Sequence, residues 1–71
     1  MKGAYKIIEL VGSSKNSWEE AAAHAIETAG KSVRDIRVAE VQEQDMKVEN
    51  GKVVSYRVRL KVSFKIEGSA L

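Results

Sequence analysis

The residues best suited to chemistry in this 71-residue chain lie in two short runs. Glu43-Gln44-Asp45 sets two carboxylates two residues apart with an amide between them, and Arg57, Arg59 and Lys61 repeat a cation at every second position. Carboxylate and amide oxygens are the hard ligands that calcium takes, about six to eight of them at roughly 2.3–2.6 Å. On a strand, residues i and i+2 project from one face, so Glu43 and Asp45 could reach one ion or one symmetry axis. They are not part of an EF-hand, which needs a loop of about 12 residues with ligands at set positions. One chain supplies too few ligands, so water, backbone carbonyls or neighbouring subunits would have to complete the shell. A second use of the same carboxylates is electrostatic: cross-strand pairing with Arg57, Arg59 or Lys61 on a solvated polar face. The basic stripe also has two readings. It could grip a phosphate bidentately, or it could be the polar strand face that meets those acids, which is the reading favoured here.

Catalysis finds little support. Ser13 and Ser14 have no histidine and acid at a suggestive spacing, and no nucleophile–base arrangement is visible. His24, the single histidine, falls on a helix flank as a solvated side chain. Trp18, the single tryptophan, reads as a staple at a helix start, not as a ligand platform.

The elements that must position these residues are legible. Tyr5 to Val11 is rich in β-branched residues and is followed by Gly12-Ser13-Ser14, a strand and then a turn. Ser17-Trp18-Glu19-Glu20 is a capping box: the Ser17 hydroxyl can accept from the Glu20 amide while Glu20 reaches back. Trp18, Ala21, Ala22, Ala25, Ile26 and Ala29 then form one helical stripe, closed by Gly30 and Lys31. Ile36 to Val48 reads as a second strand of weaker alternation, because Glu40, Gln42 and Gln44 share the phase of Ile36, Val38, Met46 and Val48. Asn50-Gly51 is a hairpin signal, since a type I′ turn needs positive φ at both positions. From about Val53 to Ile66 the third strand alternates strictly over Tyr56–Ile66, apolar at even positions and polar at odd ones. The tail Gly68–Leu71 is expected to fray. The expected fold is α+β: a single domain over residues 1–71, β-α-β-β, with a three-stranded antiparallel sheet wrapped around one helix.

Such a chain is near the lower limit for folding alone. With no cysteine and one histidine, disulfides and a standard zinc site are unavailable, which leaves oligomerisation as the stabilising device. A strand of 14 residues spans roughly 45 Å, and one helix cannot cover it, so the surplus strand calls for other copies of the chain. The 12 basic and 10 acidic residues make a mixed surface that does not argue for nucleic acid. No apolar run reaches membrane-helix length and no signal-peptide core stands at the N-terminus, so no membrane partner is expected. The lack of cysteine suits the cytoplasm, the expected location.

In order and spacing the chain resembles the dodecins. The marks are Leu10-Val11-Gly12-Ser13-Ser14 leading into the capped helix, Ala39-Glu40-Val41, and Tyr56 through Phe64. The resemblance implies a hollow homododecamer of non-enzymatic, ligand-storing character. In flavin-binding dodecins a tryptophan stacks on the flavin ring and a glutamine bonds its polar edge; the matching positions here are Val38 and Arg57. Valine has no π-face to stack, and arginine donates hydrogen bonds but cannot accept them. Flavin binding of the usual kind is therefore not expected. Ser17-Trp18-Glu19, Ile36-Arg37-Val38-Ala39 and Glu43-Gln44-Asp45-Met46 resemble the calcium-dodecin subgroup, which implies calcium as ligand and Glu43 and Asp45 as metal-binding residues. The alternatives are a flavin-storing dodecin, holding riboflavin or FMN, and a purely structural oligomer.

Overall fold

The computed structural model describes residues 4–66 and contains β1 (Tyr5–Ser14), α1 (Trp18–Gly30), β2 (Ile36–Glu49) and β3 (Lys52–Lys65). The tail Gly68–Leu71 lies outside the described residues. β3 is the central strand of an antiparallel sheet of order β1-β3-β2. Asn50 (φ 52°) and Gly51 (φ 74°) form a two-residue turn with both residues in the left-handed region, as the Asn-Gly pair predicts. Lys52 belongs to the strand rather than to the turn.

The even-numbered residues of β3 build the core. Val58, Leu60 and Val62 are fully buried against Ala21 and Ala25 of α1, with Ile8, Leu10, Trp18, Ala22, Ile26 and Ile36 around them. Each of the three contributes about 1.5–3 kcal/mol through burial. Alanine on the facing stripe lets the helix lie close to the sheet. The closest approach is at Gly12, where a Cβ would sit 2.0 Å from the main-chain oxygen of Ala21.

That approach changes the reading of the first strand. Gly12-Ser13-Ser14 is not a turn: β1 continues through it to Ser14, paired with β3 as far as Tyr56. The turn is Lys15–Ser17, and buried Ser14 shapes it by accepting from the Asn16 amide at 2.9 Å and the Ser17 amide at 3.4 Å. Ser17 caps α1 as expected, its hydroxyl accepting from the Glu20 amide at 3.0 Å. The reciprocal half of the capping box does not form. The Glu20 carboxylate accepts from the Asn16 side-chain amide at 2.7 Å and faces His24 Nε2 at 3.3 Å.

β2 explains its own weak alternation. Register shifts between Ile36 and Val38 and between Val41 and Glu43 insert one extra residue each, Arg37 and Gln42, into β2. Each bulge moves the following side chains to the other face of the sheet. Ala39, Val41, Gln44 and Met46 thus stand opposite the core-facing residues of β3, while Val38, Glu40, Glu43 and Asp45 stand opposite its polar residues. A third shift, between Lys47 and Val48, places the extra residue, Val54, on β3.

Candidate ion-binding site

On the sheet face away from the helix, the strands meet in rows. Ser13, Arg57 and Asp45 form one row; Val11, Arg59 and Glu43 the next; Glu9, Lys61 and Glu40 the third; and Ile7, Ser63 and Val38 the fourth. Glu43 and Asp45 therefore share a face, as their spacing predicts. They line one shallow hollow of about 90 Å³ together with Val11, Arg57, Val58 and Arg59.

The electrostatics of this hollow are specific. Arg57 grips Asp45 with two parallel bonds, Nε to Oδ1 and Nη2 to Oδ2, both 2.7 Å. Arg59 Nη1 donates to Glu43 Oε1 at 2.7 Å. Planar two-point pairing of this kind is the strongest ion-pair geometry that side chains make. Hydrogen bonding to Arg57 holds the Asp45 carboxyl below its ordinary range, slight burial pulling the other way, and Asp45 in turn raises the Arg57 guanidinium. Each pair is about half exposed, so it orients the side chains more than it stabilises the fold. The cross-strand reading of the basic stripe thus holds for Arg57 and Arg59. Among the described residues no three His, Asp or Glu side chains converge as a ready metal cluster.

The two flavin-pocket positions do not meet within one chain. Val38 is opposite Ser63 and Arg57 is opposite Asp45, six residues apart along β3, or roughly 20 Å. Val38 is 61 % exposed and lines an apolar hollow of about 290 Å³ with Tyr5, Ile7, Arg37 and Ser63. Arg57 is committed to Asp45.

Sequence reasoning missed one long-range contact to a candidate site residue. The indole Nε1 of Trp18 donates to the main-chain oxygen of Asp45 at 3.1 Å, and its ring meets Tyr56 edge-on with centroids 5.1 Å apart. A separation of 27 residues leaves no local signal for such a bond. His24 is exposed as expected, with its ring nitrogens near the Ser13 carbonyl at 3.3 Å and the Glu20 carboxylate. Ser13 meets it through the backbone, so no serine–histidine nucleophile is formed there.

The dodecin family profile matches residues 4–67. The chain belongs to the dodecin family. It is 53 % identical over 62 residues to the calcium dodecin of Mycobacterium tuberculosis, covering 87 % of each chain. A crystal structure of the calcium dodecin of that organism, described as calcium-chelating with a novel calcium-binding site, aligns at a TM-score of 0.82 with 51 % identity, covering 97 % of this chain and 99 % of that one. Dodecin from Streptomyces coelicolor aligns at 0.89 with 30 % identity, covering 93 % and 94 %. The dodecin fold accounts for the β-α-β-β order and the single antiparallel sheet, and dodecamers are typical of the family. Among the described residues no helix is long and apolar enough to cross a membrane.

Proposed function

We propose that this chain is a subunit of a closed homo-oligomeric cage, a dodecamer, that binds calcium through Glu43 and Asp45 and catalyses no reaction. The observation that carries the reading is the placement of both carboxylates on one face, lining one hollow, in a chain half identical to a calcium dodecin. Assembly is supported by surface. Among the described residues the large apolar side chains Ile7, Val11, Val38, Val41, Met46 and Val48 are 45–64 % exposed, an apolar surface of the kind that marks a contact with another protein chain. Cytoplasmic storage is part of the proposal and is supported by the family resemblance alone.

The ion has competition within the chain. Both oxygens of Asp45 are engaged by Arg57, whereas Glu43 has only Oε1 engaged by Arg59. Calcium takes about six to eight oxygens, so entry requires Arg57 to give up at least one bond and requires water or a neighbouring copy to supply the rest. Binding of the cation to the folded assembly in preference to the unfolded chain then stabilises it by mass action.

Calorimetric titration with calcium and with magnesium, alongside melting of the oligomer, tests the reading. Calcium is expected to raise the melting temperature, and Asp45→Asn to blunt that rise more than Glu9→Gln does. No heat and no melting shift in the parent, or equal responses in both variants, would reduce the acidic run to an ion-paired polar face.

A further inference from the structure

We infer that Trp18 is the positioning residue of the acidic site: its indole N–H, carried by the capped start of α1, holds the main chain of β2 at Asp45 and thereby sets the carboxylate on the opposite face of the sheet. The inference rests on the calcium reading above and adds to it a residue that lies outside the hollow.

Three observations converge on it. Between the bulge at Gln42 and the next register shift after Lys47, β2 keeps a regular ladder only over Glu43–Lys47. Asp45 is the middle residue of that segment, and its carbonyl is the one that accepts from Trp18. Among the described residues this is the only hydrogen bond joining α1 to β2, which is otherwise an exposed edge strand. The ring itself is aimed by Tyr56, which precedes Arg57 and stands opposite Met46, the residue after Asp45. Indole and guanidinium therefore hold one residue from two faces, Trp18 through its main chain and Arg57 through its side chain.

The arrangement has a chemical consequence. The indole takes one lone pair of the Asp45 carbonyl, and the carboxylate is what Asp45 offers to the hollow on the far face. Ligating carboxylates are oriented by such outer hydrogen-bond partners as well as by their own rotamers. Because Trp18 is the single tryptophan, the chain's indole emission reports on the surroundings of this ring.

The experiment titrates the assembled full chain with calcium chloride and follows heat and tryptophan emission together. In the parent, emission is expected to change with the same midpoint as the heat. Trp18→Phe keeps a ring against Tyr56 but lacks the N–H, and should weaken calcium binding about three- to tenfold, the effect of one neutral hydrogen bond. Ala29→Gly is the structural control: it loosens the last turn of α1, at the opposite end from Trp18, and should lower the melting temperature by roughly 4–8 °C while leaving the calcium midpoint in place. Parent-like binding by Trp18→Phe, an equal weakening by Ala29→Gly, or calcium uptake by the parent without an emission change would each overturn the inference and leave the calcium reading standing. An absence of calcium uptake by the parent would overturn both. Native mass spectrometry checks that Trp18→Phe still assembles, and if it does not, the parent's emission titration decides.

Discussion

β1 and β2 are both edge strands on the same central strand, yet they have opposite fates. β1 lies under the helix: its even residues Ile8 and Leu10 pack on the core, and Gly12 and Ser14 are buried. β2 is exposed from Arg37 to Glu49, with Val41 at 50 %, Met46 at 45 % and Val48 at 56 % accessibility. The cause is the placement of a single helix over β1 and the centre of β3. A helix of 13 residues is about 20 Å long, and the molecule is 53 Å long but 13 Å thick. The helix covers one edge and part of the centre, and the other edge keeps apolar side chains that no element of its own chain reaches. β1 therefore belongs to the fold of the subunit, and β2 to what the subunit meets.

The sharpest way to break this contrast is at the close approach. Gly12→Ala would drive a methyl group into the Ala21 carbonyl and is expected to cost about 3 kcal/mol in urea unfolding. Gly30→Ala, with nothing within 4 Å, should be neutral or stabilising by about 0.5 kcal/mol. Equal effects would show that the approach is not tight.

Next in size is assembly. Ile8→Lys should unfold the subunit, whereas Val41→Lys with Met46→Lys should leave far-ultraviolet circular dichroism intact and shift native mass spectra to smaller species. A fully assembled double variant would move the contact surface away from β2.

Smaller again is ligand choice. The parent is expected to bind riboflavin weakly or not at all, and Val38→Trp with Arg57→Gln to gain measurable quenching, since a stacked ring adds about 0.5–1.5 kcal/mol beyond buried area. Tight stoichiometric quenching by the parent would reverse that expectation.

The smallest effect is electrostatic. Asp45 is held below its ordinary value of 3.8, so its pair with Arg57 stabilises the folded state above that value and loses the contribution as pH falls through the depressed one. The melting temperatures of the parent and of Asp45→Asn should converge as pH drops below 3.8, and added salt should narrow the gap at neutral pH. A gap that persists in acid would exclude the ion pair as its source.

What could be read from the sequence follows a physical divide. The Asn50-Gly51 turn, the alternation of β3 and the Ser17 cap are properties of a few adjacent residues, and each is present. Glu43 and Asp45 were legible as a same-face pair because their spacing is local. The length of β1 was not. Gly12 and the two serines have turn chemistry, and only a helix 2.0 Å from a would-be Cβ reveals why a glycine stands inside a strand. Nor were the bulges of β2 visible, because an inserted residue looks like lost alternation until its partner strand is known. The Trp18–Asp45 bond needs the whole fold.

Side-chain alternation in a strand behaves like a reading frame of two, and Gln42 is a frameshift within it. Counted in steps of two from inward-facing Val41, Glu43 and Asp45 would face the helix side; one extra residue sends them outward. Loss of Gln42 would straighten the strand and keep the carboxylates where they are. Loss of Gln44 would also absorb the bulge, leaving Asp45 opposite Arg57 in the register the hairpin sets but turning Glu43 inward opposite Val58. The identity of the outer surface is thus stored less in any one acidic residue than in the number of residues that separate each carboxylate from the hairpin, and a single-codon deletion keeps both carboxylates outside or loses one of them depending on a shift of two positions.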